Sequence, residues 1–329
     1  MVHHSVAERR ALARALTRIE NGDLSVQDEL RAAWSATGAA HRIGVTGAPG
    51  SGKSTLVSAL ARAWRLRGHS VAILSIDPSS PITGGAILGD RIRMRELSGD
   101  PGVFIRSMAS RGSVGGLSAA AADAAALLDA HGFDFVVIET VGAGQSEVEI
   151  ARLADTVVVV EAPGMGDDVQ AIKAGILEIA DVLVVNKADR PGARKTVAAL
   201  QAALDLVPQT SGHHGVAGTA LSDAALDAGW VVSVLQTTAT AAEGVDALVD
   251  MLALHREWLH VSGVGDARRR RRYSQELRVR LREQLLLRAL QILGGDGYDA
   301  ALREVAAGRR TPLDAARELA AQLIIGSEL

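Results

Sequence analysis

Apolar residues recur along the chain in two different patterns, and the change between them falls near residue 40. Before it, four apolar side chains share one face at helical spacing: Leu12, Ala15, Leu16 and Ile19. This spacing predicts an amphipathic helix that ends near Gly22. Ser25 and Asp28 predict the cap of a second helix, which runs to about Thr37.

From His41 onwards, short runs of continuous apolar residues are separated by helical stretches. Seven runs are predicted as strands: Arg42–Thr46, Val71–Ile76, Val103–Ser107, Phe133–Ile138, Thr156–Glu161, Val182–Asn186 and Trp230–Gln236. The helical stretches between them include Leu117–His131 and Asp168–Ala180. Strands that are apolar throughout and separated by helices predict an α/β fold, with a mainly parallel sheet that is covered on both faces.

The pattern from Gly244 onwards is helical only. A long helix is predicted from Ala267 to about Leu293, and its leucines form a wide apolar face. The five arginines at 268–272 begin this helix, and a solvated helix turn explains them better than a nucleic-acid site. The chain is therefore divided into a helical N-terminal extension (1–40), an α/β domain (41–262) and a C-terminal helical arm (263–329).

Composition limits the classes of protein that the chain can belong to. The 329 residues are 48% hydrophobic but only 3% aromatic, so alanine, leucine and valine must build the core. A formal net charge of −3 gives no indication of nucleic-acid or general membrane binding. The absence of cysteine excludes disulfides and cysteine-ligated metal sites and fits a reducing cytoplasm, and we expect neither a signal peptide nor a membrane span. The paired histidines (His3-His4 and His213-His214) lack a third ligand at a sensible spacing and favour surface loops.

One segment of eight residues has the form G-x-x-x-x-G-K-S. It comprises Gly47, Ala48, Pro49, Gly50, Ser51, Gly52, Lys53 and Ser54, and Thr55 follows it. A predicted strand precedes the segment and a helical pattern follows it, which is the context of a phosphate-binding P-loop rather than of a simple Gly-rich turn. Its glycines let backbone N–H groups turn towards phosphate oxygens, and the helix N-terminus adds partial positive charge. Lys53 is predicted to reach the β- and γ-phosphates, and the Ser54 hydroxyl to ligate Mg²⁺.

A second motif, N-K-x-D, follows the predicted strand that ends at Asn186. In it, Asn186, Lys187 and Asp189 are the guanine-reading residues of GTPases. A carboxylate at Asp189 accepts two hydrogen bonds from guanine, whereas adenine presents no matching pair of donors. Ligands of such sheets bind where the strands end, which supports this interpretation over an ordinary turn. Thr238 and Ala239, after the last predicted strand, are a weaker candidate for a second base contact.

Three acids and a glycine complete the predicted nucleotide site. Glu139 follows a strand and is predicted to hold Mg²⁺, and the amide of Gly142 is predicted to sense the γ-phosphate. Asp77 ends the second strand and can hold Mg²⁺ or a metal-bound water, although an Asp before Pro also begins turns. Asp90 lies in a Gly-rich loop, which is either a switch that orders around γ-phosphate and Mg²⁺ or a plain flexible loop.

These motifs, in this order, resemble one family, the MeaB/ArgK-type GTPases. The matching stretches lie at 47–55, 77–94, 139–147, 163–181 and 186–189, and the resemblance covers roughly residues 40–260. It implies a GTP-hydrolysing chaperone of adenosylcobalamin-dependent acyl-CoA mutases, which gates cofactor loading and protects or reactivates the mutase. It does not imply that cobalamin itself is bound by this chain. It also implies a homodimer joined through C-terminal helical arms, here about residues 265–329.

The resemblance assigns roles to residues position by position. It implies that Lys53 and Ser54 bind phosphate and Mg²⁺. It also implies that Asp77, Asp90 and Glu139 are the acids around the metal and the attacking water. It places a switch that senses the partner mutase at Asp167, Asp168, Gln170 and Lys173, where the residues alone favour a loop entering a helix. Ala86, Arg91 and Ile92 stand where the family usually has Ser, Lys and Thr, so the partner and the coupling to it stay open.

Two other functions are compatible with a P-loop. A metallochaperone GTPase for nickel enzymes shares the Glu139 position but delivers metal through Cys and His ligands, and this chain has no cysteine. An ATP-dependent kinase needs a base for the acceptor hydroxyl and has no use for N-K-x-D. Comparison of GTP and ATP turnover separates the kinase from the two GTPases.

Overall fold

The computed structural model describes residues 5–78, 97, 99–110, 118–140, 149–164, 174–206 and 229–325. Of the predicted site residues, Asp90 and Gly142 lie outside the described residues, as does the predicted switch at 167–173. Asp77 is described as backbone only. The chain forms two compact units, Met1–Arg272 and Tyr273–Leu329.

Seven parallel strands form one sheet in the first unit, as the apolar runs predict. They are β1 (His41–Gly47), β2 (Val71–Pro78), β3 (Val103–Ser110), β4 (Phe135–Thr140), β5 (Thr156–Glu161), β6 (Val182–Asn186) and β7 (Ser233–Thr237). Their order is β3-β2-β4-β1-β5-β6-β7. Every described pairing between neighbours is parallel. The strand that carries the P-loop is therefore central, between β4 and β5.

Helices cover both faces of this sheet. The described helices of the first unit are α1 (Val6–Glu20), α2 (Gln27–Trp34), α3 (Lys53–Leu66), α4 (Ser118–Ala130), α5 (Ala174–Leu177), α6 (Ala193–Leu206) and α7 (Val245–Val261). One buried cluster joins α1, α2, α4 and α6 to the sheet. A second cluster joins α3 and α7 to the opposite face. Strands such as β4 and β6 are buried along their whole length, since both of their faces carry helices.

The N-terminal helix confirms the predicted amphipathic face. Its four predicted residues are all buried, and Ser5 caps it in a capping box with Glu8. Gly22, with φ of +69°, follows the end of the helix as expected. The predicted cap of the second helix is wrong: Asp23 caps a short 3₁₀ turn, Leu24–Val26, and α2 then begins with no side-chain cap. Ser25 lies inside that turn and donates its backbone N–H to Asp23 at 2.9 Å.

Other boundaries also differ from the sequence prediction; the strand predicted at Phe133–Ile138, for example, is Phe135–Thr140. The last strand begins at Ser233 rather than at Trp230, whose indole N–H donates to the Asp181 carbonyl at 2.9 Å. This contact fixes the tryptophan beside the start of β6 and outside the ladder. In the stretch predicted as a helix over 168–180, the described part is helical only at Ala174–Leu177, and residues 168–173 lie outside the described residues.

The C-terminal helix begins in the first unit and ends in the second. Helix α8 (Val264–Ala306) is interrupted at Gly294, whose φ of 66° and ψ of 166° are not helical. Helix α9 (Pro312–Ile325) follows it. Within the second unit, the predicted leucine face is exposed: Leu277, Leu281, Leu285, Leu286 and Leu287 are each more than half exposed.

The arginine run at the start of α8 corrects one prediction. Arg272 is buried and pairs with Asp155 at 2.9 Å, and the largely buried Arg268 pairs with Asp181 at the same distance. Both partners lie just before strands of the sheet. This turn is therefore not simply solvated, because two of its five arginines hold the beginning of α8 to residues of the first unit.

Candidate functional site

The P-loop joins the carboxyl end of β1 to α3, and its glycines adopt conformations that other residues avoid. Gly47 has φ of +131°, and a Cβ there would lie 2.1 Å from the Val160 carbonyl oxygen. Gly52 has φ of +92°, and a Cβ there would lie 2.5 Å from Nδ2 of Asn186. The loop therefore needs glycine at both positions for its path between β5 and β6.

Lys53, the first residue of α3, is folded back over this loop. Its ammonium group donates to the carbonyl oxygens of Gly47 at 2.8 Å and of Ala48 at 3.0 Å. The residue is only 6% exposed. A positive charge is thus held inside the loop and beside the N-terminus of α3, where phosphate groups bind.

Ser54 and Glu139 meet beside the P-loop. The serine hydroxyl donates to Oε1 of Glu139 at 2.6 Å, and both residues are buried. The next residue of β4, Thr140, donates its hydroxyl to that of Thr46 on β1 at 3.1 Å. The structure therefore brings together two of the four predicted metal ligands. A hydroxyl and a carboxylate fit Mg²⁺, which prefers oxygen ligands.

Asp77 lies at the same edge of the sheet. Its neighbours Ser75 and Ile76 pair in register with Glu139 and Thr140 of β4. Asp77 is thus the residue of β2 that directly follows the pair of Ile76 with Thr140. Its position at the carboxyl end of β2 agrees with the sequence prediction.

The side chain of Asn186, at the end of β6, connects the P-loop to the end of β7 and the segment that follows it. Its Nδ2 donates to the carbonyl oxygen of Ser51 at 3.0 Å, and a longer contact of 3.4 Å reaches that of Gly52. Its Oδ1 accepts from the Thr237 hydroxyl at 3.1 Å and from the Ala239 backbone N–H at 3.2 Å. Asn186 is 2% exposed, so the whole amide is used to hold the P-loop, β6 and the segment after β7 together.

The other N-K-x-D residues lie beside this bridge. Lys187 has an unusual φ of 57° and donates its ammonium group to the Gly50 carbonyl at 2.6 Å. The backbone N–H of Ala188 donates to the Thr237 carbonyl at 3.0 Å, and Asp189 is exposed. The motif thus leaves Asp189 exposed just beyond the carboxyl end of β6, while Asn186 and Lys187 contact the P-loop.

Sequence reasoning missed the roles of three threonines of this site. It named Thr238 and Ala239 as base contacts, whereas in the structure the Thr237 hydroxyl and the Ala239 backbone N–H both donate to Asn186. It also missed the contact between Thr46 and Thr140. A positional signal was present, because each of these threonines lies within the last two residues of its strand, at the carboxyl edge where ligands of such sheets bind.

The amino-terminal edge of the sheet carries a separate buried polar group. His41 and His255 lie 2.6 and 2.7 Å from the hydroxyl of Thr156. Burial lowers the pKa of each imidazole to about 4. Among the described residues there is no cluster of three or more His, Asp or Glu that could hold a metal ion, and no helix that could cross a membrane.

A seven-stranded parallel sheet with this loop at its central strand defines a P-loop nucleotide-binding protein of the α/β class. A family model described as "Methylmalonyl Co-A mutase-associated GTPase MeaB" matches residues 12–292. The chain belongs to this MeaB family of GTPases.

Several known proteins are similar to the chain. A relative from Pyrococcus abyssi is 48% identical over 272 residues, 83% of this chain and 80% of its own length. The GTPase ArgK of Escherichia coli is 45% identical over 187 residues, 55% of this chain and 56% of ArgK. The mitochondrial methylmalonic aciduria type A homolog of Caenorhabditis elegans is 41% identical over 196 residues, 55% of this chain and 49% of that protein.

One solved structure supports the fold. The crystal structure of the LAO/AO transport system kinase aligns with 97% of this chain and 99% of its own, with a TM-score of 0.60 and 24% identity.

Proposed function

We propose that this protein is a GTP-hydrolysing chaperone of an adenosylcobalamin-dependent acyl-CoA mutase, methylmalonyl-CoA mutase or a relative of it. It would assist cofactor loading and protect or reactivate the mutase, and it would act as a homodimer. The observation that carries the proposal is a nucleotide site bridged by Asn186, within a chain that a mutase-associated GTPase family matches from residue 12 to residue 292. The names of relatives point the same way, since one is a methylmalonic aciduria type A homolog.

The residues of the site fit GTP hydrolysis. Water attacks the γ-phosphorus, the bond to the β–γ bridging oxygen breaks, and GDP and inorganic phosphate leave. Lys53 carries positive charge into the P-loop, where it can stabilise the charge that develops on the phosphoryl oxygens. Mg²⁺, when bound, neutralises charge on the β- and γ-phosphates. Ser54 and Glu139 would hold it, and we assign the same role to Asp77 and Asp90.

Guanine selection is proposed for Asp189. The carboxylate accepts two hydrogen bonds from guanine and finds no such donors on adenine, so a bound adenine base would cover the carboxylate without pairing it, at a cost of about 1–3 kcal/mol. Calorimetry should therefore give much tighter binding for GTP and GDP than for ATP. In the Asp189→Asn variant, preference should move towards xanthosine nucleotides. Equal affinities of the wild type for GTP and ATP would overturn the assignment and favour a kinase.

The partner is tested by the rate of GTP hydrolysis at increasing mutase concentration. We expect a cognate cobalamin-dependent mutase to raise turnover at least about tenfold, which corresponds to ~1.4 kcal/mol of the barrier. A cobalamin-independent CoA enzyme at the same concentrations is the control. No stimulation by any acyl-CoA mutase of this class would contradict the chaperone function, while leaving the GTPase itself intact.

The proposed partner switch is tested in the same assay. Replacement of Asp167, Asp168 or Lys173 should reduce the stimulation and leave the basal rate nearly unchanged, because a partner-sensing element is not needed for basal hydrolysis. Equal losses of basal and stimulated rates would place the segment in the catalytic core instead.

A further inference from the structure

Side chains of helix α1 contact both ends of the edge strand β3. Among the described strands, β3 pairs with β2 alone, so one backbone edge of β3 has no described strand beside it. At the amino end, the Arg9 guanidinium donates to the Val103 carbonyl at 2.7 Å and to the Pro101 carbonyl at 3.0 Å. At the carboxyl end, Glu20 accepts the backbone N–H of Ala109 at 2.9 Å. Two side chains of one helix thus occupy backbone groups at opposite ends of this edge.

Glu20 lies at a position where the helix itself disfavours a negative charge. It is the last residue of α1, and the partial negative charge of a helix C-terminus repels a carboxylate. Its second oxygen accepts from the Arg106 guanidinium at 2.7 Å, and the two side chains are only 13% and 15% exposed. The contacts to β3 therefore give a physical reason for an acid at this position.

The hydrogen bond from Ala109 reaches the rung that carries Asp77. The described pairing between β2 and β4 reaches Ile76 and Thr140. On its other side, β2 pairs with β3, and this pairing sets Asp77 opposite Ala109. A contact that fixes the backbone of Ala109 therefore acts on the same rung as the backbone of Asp77.

We propose that Glu20 is a positioning residue for the metal end of the nucleotide site. By holding the N–H of Ala109, it fixes the last rungs of β3 and β2 and so sets where the backbone presents Asp77. This inference rests on the proposed function, because that function assigns Asp77 to Mg²⁺. It predicts that loss of Glu20 raises the Mg²⁺ concentration that GTP hydrolysis needs.

The test is the half-saturating Mg²⁺ concentration of the full chain, measured for GTP turnover and also for binding of a fluorescent non-hydrolysable GTP analogue. Glu20→Ala removes the acceptor, and we expect this concentration to rise at least about fivefold. Glu20→Gln keeps an oxygen that can accept from Ala109, and the rise should stay below about twofold. Arg9→Met is the matched control, since it removes contacts of the same helix to the same strand at the opposite end. It should lower stability against urea without changing the Mg²⁺ requirement by more than about twofold.

Three results would overturn the proposal. They are an unchanged Mg²⁺ requirement in Glu20→Ala, an equal rise in Arg9→Met, and a full rise in Glu20→Gln. If Glu20→Ala does not fold, Glu20→Asp replaces it, because the shorter side chain keeps the charge but falls short of Ala109. A rise of at least about threefold is then expected, and a smaller one overturns the proposal. Absence of Mg²⁺-dependent GTP turnover in the wild type would instead overturn the proposed function.

Discussion

Replacement of Asn186 by alanine should weaken the fold and the nucleotide site together. The substitution removes an amide that is 2% exposed and bonded to the P-loop on one side and to the segment after β7 on the other. It leaves at least two buried backbone groups without their partner, the Ser51 carbonyl and the Ala239 N–H. A buried group left unsatisfied costs about 1–3 kcal/mol, so the free energy of unfolding should fall by roughly 2–6 kcal/mol.

The loss of the bridge should also lower nucleotide affinity. In the proposed function the P-loop binds phosphate and Asp189 reads the base, and the Asn186 amide joins the P-loop to the strand that precedes Asp189. We expect GDP affinity to fall by at least about tenfold, equivalent to ~1.4 kcal/mol, because binding must now order both loops. Urea unfolding gives the first quantity and titration with a fluorescent GDP analogue gives the second.

Thr237→Val is the matched control for this prediction. It removes one of the two donors to Oδ1 of Asn186 and leaves the Ala239 N–H and the P-loop contact in place. Its cost should be near that of one hydrogen bond, about 1 kcal/mol, with GDP affinity within about threefold of the wild type. The reasoning is refuted if Asn186→Ala binds GDP as tightly as Thr237→Val does, because the bridge would then matter for stability alone.

Three further predictions concern catalysis, acid stability and assembly. Glu139→Ala should slow GTP turnover by at least about tenfold and weaken GDP binding much less, because its proposed role is at the metal; full hydrolysis would remove it from the mechanism. His41 and His255 have pKa values lowered to about 4, so the unfolded chain binds more protons below pH 6.5. Unfolding free energy by urea should therefore fall between pH 7 and pH 5, by about 2 kcal/mol for each histidine, and a flat profile would contradict these pKa values. A chain that ends after Arg272 keeps both ion pairs of the arginine run, and it should be monomeric by light scattering and bind GTP; a dimer would place the interface elsewhere.

The sheet could be predicted from sequence because its central strands, β4, β1, β5 and β6, are buried along all or nearly all of their length. An apolar run such as Val182–Asn186 then needs no alternation to be recognised, and its predicted bounds agree with the structure. Boundaries were less accurate where a single side chain decides them. Trp230 continues an apolar run and was assigned to a strand, but a hydrogen bond from its indole to the Asp181 carbonyl holds it outside the ladder.

The site was predictable to the extent that backbone geometry restricts the residue type. Gly47 and Gly52 have no room for a Cβ, so the P-loop leaves a strict pattern in the sequence. Contacts between residues far apart in sequence leave no such pattern. The bond from Ala109 to Glu20 spans 89 positions, and nothing near either residue indicates it. The same holds for Arg272 and Asp155, which pair across 117 positions in a segment that resembles a solvated turn.

Residue 40 marks a change of pattern, but side-chain contacts continue across it. Leu12 and Leu16 of α1 belong to the same buried cluster as Phe104 and Met108 of β3. The linker before β1 is fixed as well, because Asp129 accepts the backbone N–H groups of three consecutive residues, 38–40, at 2.7–3.2 Å. Periodicity reports which secondary structure a segment forms, whereas burial decides which segments share a core. In this chain the segment 5–40 contributes apolar side chains to the core of the sheet and, through Glu20, a hydrogen bond to the end of its edge strand. Removal of the N-terminal helices would therefore expose part of that core and release β3 at the edge where the nucleotide site lies.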